Sequence, residues 1–245
     1  MKNNDTWEPS KYVFRNGRLI ASRNPADCGA GSRLMGDIIA RFYQQYIPIY
    51  TKGALLDLGC GAAPLYGMYK DYCRTITCSD WPNTSHNNVY VDIYCDLAEQ
   101  LPFQNEQFDT IILSDVHEHI PKPESLFMEI YRILSKGGHA IINVPFYYWI
   151  HEQPYDYYRY TEFALKRFAN NAGFNLILLD TMGGVVEVVT DILAKYMLQH
   201  VGGKYISSFL QNTASLFCKT KIGRRISRKT GKLFPLGYFL VLQKP

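Results

Sequence analysis

A glycine-rich turn preceded by an acid is the first feature of this sequence that could bind a ligand. In LLDLGCGAAP, Asp57 stands two residues before Gly59, and Gly61 follows. Two glycines let the backbone turn sharply and approach a ligand closely. A dinucleotide site favours a third glycine, but Pro64 takes that place. The acid and the missing glycine together favour a ligand with a cationic group over a phosphate.

Two further carboxylates follow at intervals that suit an adenosine. Asp80 lies twenty-one residues beyond Gly59, where it can accept hydrogen bonds from a ribose diol. Trp81 offers a flat face for a purine, and Asp96 can accept from an exocyclic amine. Each aspartate alone is equally consistent with a loop or a helix cap. In this order, they predict a pocket for an adenosine that carries a cationic tail.

The elements that would position these residues alternate between strand-like and helix-like patterns. Such alternation predicts an α/β fold in which a parallel sheet has helices on both faces and binds ligands at the carboxyl ends of its strands. We expect one domain, 1–245, with an N-terminal helix at 30–50. The apolar spacing typical of a helix ends before Pro48. A cofactor-binding core at 54–181 and a helical, basic insertion at 185–232 follow, before a last strand at 236–243. The predicted strands are 54–58, 75–79, 89–93, 108–114, 139–144 and 174–179, and the predicted helices are 64–72, 124–134 (stopped by Lys136-Gly137-Gly138) and 161–172 (ended by Gly173).

Five segments of the chain together resemble the class I S-adenosylmethionine-dependent methyltransferases, and within them the branch called methyltransferase type 11. The segments are LLDLGCG, SD at 79–80, CDLAEQLPF, FDTIILSDVHEHI and LFMEIYRILSKGGHAIINVPF. The resemblance implies a three-layer, Rossmann-like sandwich with seven strands, the last antiparallel. It also implies S-adenosylmethionine as cofactor.

The same resemblance implies a role for individual residues. The resemblance assigns the methionine part of the cofactor to the glycine turn and to the end of the fourth strand. It assigns the ribose to the end of the second strand and the adenine to the segment CDLAEQLPF, beyond the third strand. In chain order the predicted cofactor residues are Asp57, Gly59, Cys60, Gly61, Asp80, Trp81, Asp96, Leu97, Ser114 and Asp115. The fourth strand lacks the Asn/Asp-Pro-Pro-aromatic ending of methylases that act on adenine or glutamine amino groups, which favours a hydroxyl acceptor.

The turn SDVHEHI also resembles the E-x-x-E-H metal site of some O-methyltransferases, with Asp115 in place of the first Glu. With Glu118, His119 and His151 it predicts a site for Mg²⁺ or Mn²⁺, which prefer oxygen ligands. Without a metal, His119 or His151 is the candidate general base, because an imidazole can accept a proton near neutral pH. The alternative is that Glu118 and His119 only fix the loop by hydrogen bonds.

The segment HEQPYDYYRYT is rich in aromatic residues and begins near the end of the fifth predicted strand. It resembles a version found in methyltransferases of bacterial surface-polysaccharide gene clusters. We expect it to form a stacking wall for a sugar or another flat acceptor, or else a packed cap in which Arg159 pairs with Asp156. The predicted substrate residues are Tyr155, Tyr157, Tyr158, Arg159 and Tyr160.

Charge is distributed unevenly along the chain. From Ile192 to Pro245 there are ten Lys or Arg and no Asp or Glu, a balance of +10. Because the net charge of the whole chain is +4, the remaining residues carry a charge of −6. The segment 205–232 is therefore predicted to contact an anionic membrane, or to pack on the core or a second subunit. The first residues contain no apolar run, which predicts a cytoplasmic protein, free or membrane-peripheral.

Three functions follow from these patterns. The first is methyl transfer to a hydroxyl of a small molecule, a glycan or a glycolipid precursor, as in polysaccharide biosynthesis. The second is methylation of RNA, which the basic segment favours, although the −6 balance elsewhere argues against nucleic acid as a partner. The third is a non-catalytic cofactor-binding protein, against which the intact set of acids and glycines argues.

Overall fold

The computed structural model describes residues 1–84 and 89–245. An antiparallel hairpin, β1 (Tyr12–Arg15) and β2 (Arg18–Ala21), precedes the long helix α1 (Arg33–Tyr50). Strands and helices then alternate, and three consecutive helices separate the last two strands. These elements are β3 (Ala54–Leu58), α2 (Tyr66–Tyr69), β4 (Thr75–Asp80), β5 (Ile93–Tyr94), β6 (Phe108–Ser114), α3 (Pro123–Ile133), β7 (Leu134–Pro145), α4 (Glu162–Ala172), β8 (Asn175–Met182), α5 (Val185–Met197), α6 (Gly203–Lys219), α7 (Lys221–Thr230) and β9 (Gly237–Gln243).

The main sheet has seven strands in the order β5-β4-β3-β6-β7-β9-β8. All the pairings from β5 to β7 are parallel, and β9 is antiparallel to both of its neighbours. The sheet lies between two apolar layers, one with α1 and α2 and the other with α3 and α4. This confirms the predicted three-layer α/β sandwich with an antiparallel last strand. The carboxyl ends of β3, β4, β6 and β7 meet at one edge of the sheet.

The helix predicted at 64–72 is shorter, Tyr66–Tyr69, and the strand predicted at 174–179 runs from Asn175 to Met182. Three other predicted boundaries were also wrong. Helix α1 continues two residues past Pro48, to Tyr50. Buried Ile47 anchors this last turn, and its carbonyl accepts a hydrogen bond from the Thr51 N–H. Strand β7 begins directly after α3, so Gly137 and Gly138 lie within it and do not stop the helix. Their backbone pairs instead with Lys244 beyond β9.

The third wrong boundary concerns the segment predicted as a strand at 89–93. Only Ile93 and Tyr94 pair with β4. The Asp92 side chain accepts a hydrogen bond from the backbone N–H of Cys78 at 2.8 Å. A side chain thereby satisfies the backbone donor that a longer strand would have used, and the pairing stays short.

The helices α5, α6 and α7 fill the predicted insertion at 185–232, and α5 and α6 pack against each other. Within residues 1–84 and 89–245, no helix has the length and apolarity that crossing a membrane requires.

Candidate active site

A cavity of about 870 Å³ opens at the carboxyl edge of the sheet. This volume is usual for a small-molecule site. The N-terminal segment, the glycine turn, the ends of β4 and β6 and the aromatic segment form its walls. Most of the predicted site residues line it. They are Gly59, Cys60, Gly61, Asp80, Trp81, Asp96, Leu97, Ser114, Asp115, Glu118, His119, His151, Tyr155 and Tyr157.

The glycine turn follows β3 and is held by the neighbouring strand. The N–H groups of Gly59 and Cys60 donate to the Ser79 carbonyl at 2.8 and 2.9 Å. Gly59 and Gly61 have φ of 77° and 52°, in the left-handed region that favours glycine, and a Cβ on Gly59 would lie 2.6 Å from Val116. The Gly61 N–H donates to the Asp80 carboxylate at 2.6 Å. Asp80 therefore shapes the turn as well as facing the cavity.

Asp57 does not line the cavity, contrary to the prediction that it contacts the cofactor. Its side chain is buried and accepts a hydrogen bond from the Tyr69 hydroxyl at 2.7 Å. Burial raises the pKa of Asp57 to about 7, the Tyr69 bond opposes that shift, and the charge of Asp80 adds to it. Asp57 is thus a positioning residue that joins β3 to α2 behind the glycine turn.

The residues predicted to hold the adenosine lie together in the cavity wall. They are Trp81, after β4, and Asp96 and Leu97, after β5. Trp81 lies edge-on to Tyr155 with ring centroids 5.0 Å apart. The side chain of Asp96 accepts from the Ala98 N–H at 2.8 Å and remains exposed, whereas Leu97 is buried. Asp96 therefore caps its own turn, as the local alternative predicted, while it lines the cavity.

Asp115 is engaged by two partners, which corrects its predicted role as a metal ligand. It forms an ion pair with Lys11 at 3.0 Å and accepts from the Asn143 amide at 2.5 Å. Asn143 is itself bonded to Tyr43. Asp115 lines the cavity beside Ser114. It does not belong to the group of possible metal ligands that lie close together, which consists of Glu118, His119 and His151.

Glu118, His119 and His151 converge at the floor of the cavity, and one ligand atom from each lies within 4.8 Å of the others. The Nε2 atoms of both histidines lie 3.8 Å from Oε1 of Glu118. Their rings meet edge-to-face at 4.8 Å. The sequence prediction placed these three residues together correctly, although His151 lies 32 positions beyond His119.

The second nitrogen of each histidine is bonded to an oxygen. Nδ1 of His119 lies 3.0 Å from the Tyr155 carbonyl, and Nδ1 of His151 lies 3.2 Å from the Asp156 carboxylate. Because these oxygens only accept, the tautomer with the proton on Nδ1 satisfies both contacts and leaves a lone pair on Nε2. Both lone pairs therefore face Glu118 and the cavity.

Glu118 is fully buried, and no described residue offers its carboxylate oxygens a hydrogen bond. Burial raises the pKa of Glu118 well above its usual value, and the charge of Asp115 raises it further. Burial likewise lowers the pKa of His151, as does the charge of His119. An unpartnered buried carboxylate is costly, so this position is suited to a bound proton, water or cation.

The aromatic segment divides between the cavity and the packing beneath it. Tyr155 and Tyr157 line the cavity as predicted, but Tyr158, Arg159 and Tyr160 do not. Tyr160 is buried and donates to the His117 carbonyl, and Tyr158 donates to the Pro121 carbonyl. For these three residues the packed-cap alternative describes the structure.

Arg159 pairs with Asp156 at 2.5 Å, as that alternative proposed. Although burial raises the pKa of Asp156, hydrogen bonds from Arg159 and the His151 N–H lower it to about 2. An ionised Asp156 fixes the orientation of His151. Arg159 therefore acts on the histidine through the aspartate.

Four residues of the site were missed by the sequence interpretation. Lys11 and Ser32 come from the N-terminal part, where no motif was recognised. Tyr148 lines the cavity and its hydroxyl lies 3.1 Å from that of Ser32. Glu152 lies 3.8 Å from Nε2 of His119. Only Tyr148 and Glu152 carried a signal, their place in the aromatic segment.

Comparison with known proteins agrees with this geometry. Residues 56–142 match the family model described as a methyltransferase domain. Malonyl-[acyl-carrier protein] O-methyltransferase of Marinomonas sp. (strain MWYL1) is 26% identical over 110 residues, a match that spans 40% of this chain and 40% of that protein.

Solved structures share the fold at low sequence identity. An S-adenosylmethionine-dependent methyltransferase from Archaeoglobus fulgidus superimposes with a TM-score of 0.58 at 15% identity, covering 87% of this chain and 97% of that one. Phosphoethanolamine N-methyltransferase 2 of Haemonchus contortus, in complex with phosphomonomethylethanolamine and S-adenosylhomocysteine, superimposes with a TM-score of 0.53 at 17% identity. That match covers 91% of this chain and 58% of the other. The predicted family resemblance and fold are confirmed: residues 56–142 form a methyltransferase domain, and the chain has the fold of solved S-adenosylmethionine-dependent methyltransferases.

Proposed function

We propose that this protein transfers the methyl group of S-adenosylmethionine to a hydroxyl of a small molecule, a glycan or a glycolipid precursor. One observation carries the proposal: the lone pairs of His119 and His151 face the same cavity as the glycine turn and Asp80. A proton acceptor thus lies where an acceptor would meet the sulfonium methyl. The O-methyltransferase activity named for the Marinomonas relative supports a hydroxyl acceptor.

His151 is the better placed of the two bases. Its Nδ1 is hydrogen-bonded to the Trp149 carbonyl and lies 3.2 Å from the ionised Asp156, and burial lowers its pKa, so the ring is neutral at physiological pH. As the acceptor oxygen attacks the methyl carbon, its proton passes to Nε2 of His151. Bound S-adenosylmethionine would supply the methyl group, with its sulfonium sulfur as the leaving group. Positioning of the two reactants by the cavity walls supplies much of the remaining rate.

The same three residues fit a divalent cation, which we propose as the alternative to a histidine base, because the cation would occupy the Nε2 lone pair of His151. Ligand atoms 3.8 Å apart approach the separation of roughly 3.4 Å expected around a tetrahedral ion with bonds of about 2.1 Å. Two imidazoles and one carboxylate suit Zn²⁺, Mn²⁺ or Fe²⁺ better than the predicted Mg²⁺, because Asp115 is engaged elsewhere. A bound cation would lower the pKa of an acceptor hydroxyl.

The first experiment is a calorimetric titration with S-adenosylhomocysteine. We expect Asp80→Asn to weaken binding about tenfold or more, because one charged acceptor for the ribose is lost. Asp71→Asn, which changes an exposed carboxylate outside the cavity, should bind as the wild type does. If the unmodified protein does not bind, the methyltransferase proposal is wrong.

The second experiment identifies the acceptor class and the need for metal. Methyl-labelled S-adenosylmethionine is incubated with free sugars, lipid-linked sugars and RNA, with chelator or with Mn²⁺ or Zn²⁺ added. Label on a sugar hydroxyl supports the proposal, and label on RNA replaces it. Equal turnover with chelator and with metal eliminates the cation but leaves the general base intact.

A further inference from the structure

Helix α6 carries its apolar side chains on the outside. Its buried positions are Gly203, Ser207, Gln211 and Ala214, all small or polar. The amide of Gln211 bonds the carbonyl of Gly31 and the N–H of Leu34, which fixes this polar face to the start of α1. The opposite face is aromatic and aliphatic. Its exposed residues are Tyr205, Ile206, Phe209, Leu216 and Phe217.

Helix α5, packed beside α6, has a related inversion. Its buried face includes Glu187, Asp191 and Lys195, and the last two form an ion pair. Its exposed residues include Val189, Ile192, Leu193 and Tyr196. Helices of water-soluble domains normally bury the apolar face, so two adjacent inverted helices indicate an apolar environment outside them.

Positive charge accompanies this exposed apolar surface. Eight basic side chains between Lys204 and Lys232 are exposed, and in the described ranges no carboxylate lies within ion-pair distance of any of them. Helix α7 alone has four exposed Arg or Lys side chains beyond its first residue, with Ile222 exposed beside them. From Ile192 to the last residue the sequence contains no acid at all.

The buried face of α5, opposite the exposed apolar side chains, contacts the wall of the cavity. Nζ of Lys195 lies 3.4 Å from the ring centroid of Tyr148, which lines the cavity, and 5.6 Å from that of Trp149. Trp149 and its neighbour Ile150 are exposed, and Ile150 is 69% accessible.

From these observations we infer that α5, α6 and α7 dock on an anionic lipid bilayer. The apolar face enters the interfacial region, and the basic side chains meet lipid phosphates. A second copy is a poor occupant, because a two-fold contact would place the same eight cations against each other. The exposure of these side chains on α6 also excludes packing of that face on the core, which was one of the alternatives expected from the sequence.

The test is co-sedimentation of the full chain with vesicles of phosphatidylcholine alone or with phosphatidylglycerol added. We expect binding only to the anionic vesicles, weakening at high salt. Tyr205→Ser with Phe209→Ser should lower the partition coefficient at least tenfold, because two exposed rings no longer insert. Arg225→Glu with Lys229→Glu should lower it about thirtyfold or more.

Matched control variants carry the same chemical changes elsewhere. Phe163→Ser removes an equally exposed ring on α4, and Lys52→Glu with Lys136→Glu reverses two exposed charges at the opposite edge of the sheet. Both controls should bind vesicles as the wild type does. Circular dichroism and thermal melting confirm that each variant is folded.

Two results would overturn the inference. One is failure of the wild type to sediment with anionic vesicles at low salt. The other is a dimer in light scattering that Phe209→Ser converts to a monomer, which would assign this face to a second copy. Because vesicle binding is scored without cofactor or acceptor, its failure leaves the proposed methyl transfer untouched.

Discussion

The sheet with its flanking helices and the α5–α7 segment distribute polar and apolar side chains in opposite ways. In the sheet, β3, β6 and β9 are mostly buried and apolar, and α3 and α4 turn their apolar faces inward. In α5 an ion pair is buried while Ile192 and Tyr196 are exposed. The first arrangement supplies folding free energy, whereas the second leaves apolar area for a contact outside the chain.

The same contrast holds for buried carboxylates. Asp57 in the sheet has a neutral partner, Tyr69, and no cation at hydrogen-bond distance among the described residues. Asp191 in α5 has a cation, Lys195. A carboxylate without a cation is stabilised by keeping a proton, whereas a paired one depends on its partner. The two therefore differ in how pH and mutation should affect them.

The largest effect is expected from breaking the pair in α5. Asp191→Ala leaves the Lys195 ammonium buried without its partner and should lower the free energy of unfolding by about 3–5 kcal/mol. Glu162→Ala removes an exposed pair of the same i, i+4 spacing in α4 and should cost under about 0.5 kcal/mol. Urea unfolding measures both. Equal costs would mean that α5 is not anchored by its buried pair.

A pH dependence should distinguish Asp57. Its pKa in the folded state, about 7, exceeds the unfolded value of 3.8, so its protonation stabilises the fold at low pH. That contribution is lost as pH rises from about 4 to about 7. Relative to the wild type, Asp57→Asn should gain up to about 2.7 kcal/mol of stability between pH 5 and pH 8, about 1.4 kcal/mol for each of the two pH units below the folded pKa. The exposed Asp71→Asn is the control, and parallel pH profiles for Asp57→Asn and the wild type would contradict the shift.

Replacing the proposed base tests the cavity itself. His151→Ala should lower turnover about hundredfold, because the acceptor proton loses its destination, while S-adenosylhomocysteine binds with unchanged affinity. His200→Ala changes an exposed histidine after α5 and should leave turnover unchanged. Equal loss of cofactor affinity and turnover in His151→Ala would show that His151 only supports the structure.

The smallest effect is expected on the exposed face of α6. Phe209 is 66% accessible, so Phe209→Ser should change the free energy of unfolding by less than about 0.5 kcal/mol in the absence of lipid. Its counterpart in the sheet is Phe239, which is fully buried, and Phe239→Ala should cost about 3–5 kcal/mol. Thermal unfolding compares the two. A large cost at Phe209 would show that this face is packed within the chain.

Local pattern was sufficient for most of the fold. The strands β3 and β6 were predicted to the residue, because each is a short apolar run bounded by turn residues. The end of α4 at Gly173, with φ of 92°, follows from the same kind of signal. The start of β7 was missed because pairing with β6 and β9 extends it through two glycines that locally favour a turn. Tertiary pairing overrode the local preference.

The candidate site divides in the same way. The order of Gly59, Gly61 and Asp80 along the chain was enough to predict one pocket, because the carboxyl ends of parallel strands meet at one edge. Spacing also brought Glu118 and His119 together, since they are adjacent in one short turn. The tertiary structure alone decided that Asp57 faces Tyr69 and that Asp115 pairs with Lys11, 104 positions away. A side chain's partner depends on which distant segment packs beside it, and neither composition nor periodicity contains that information.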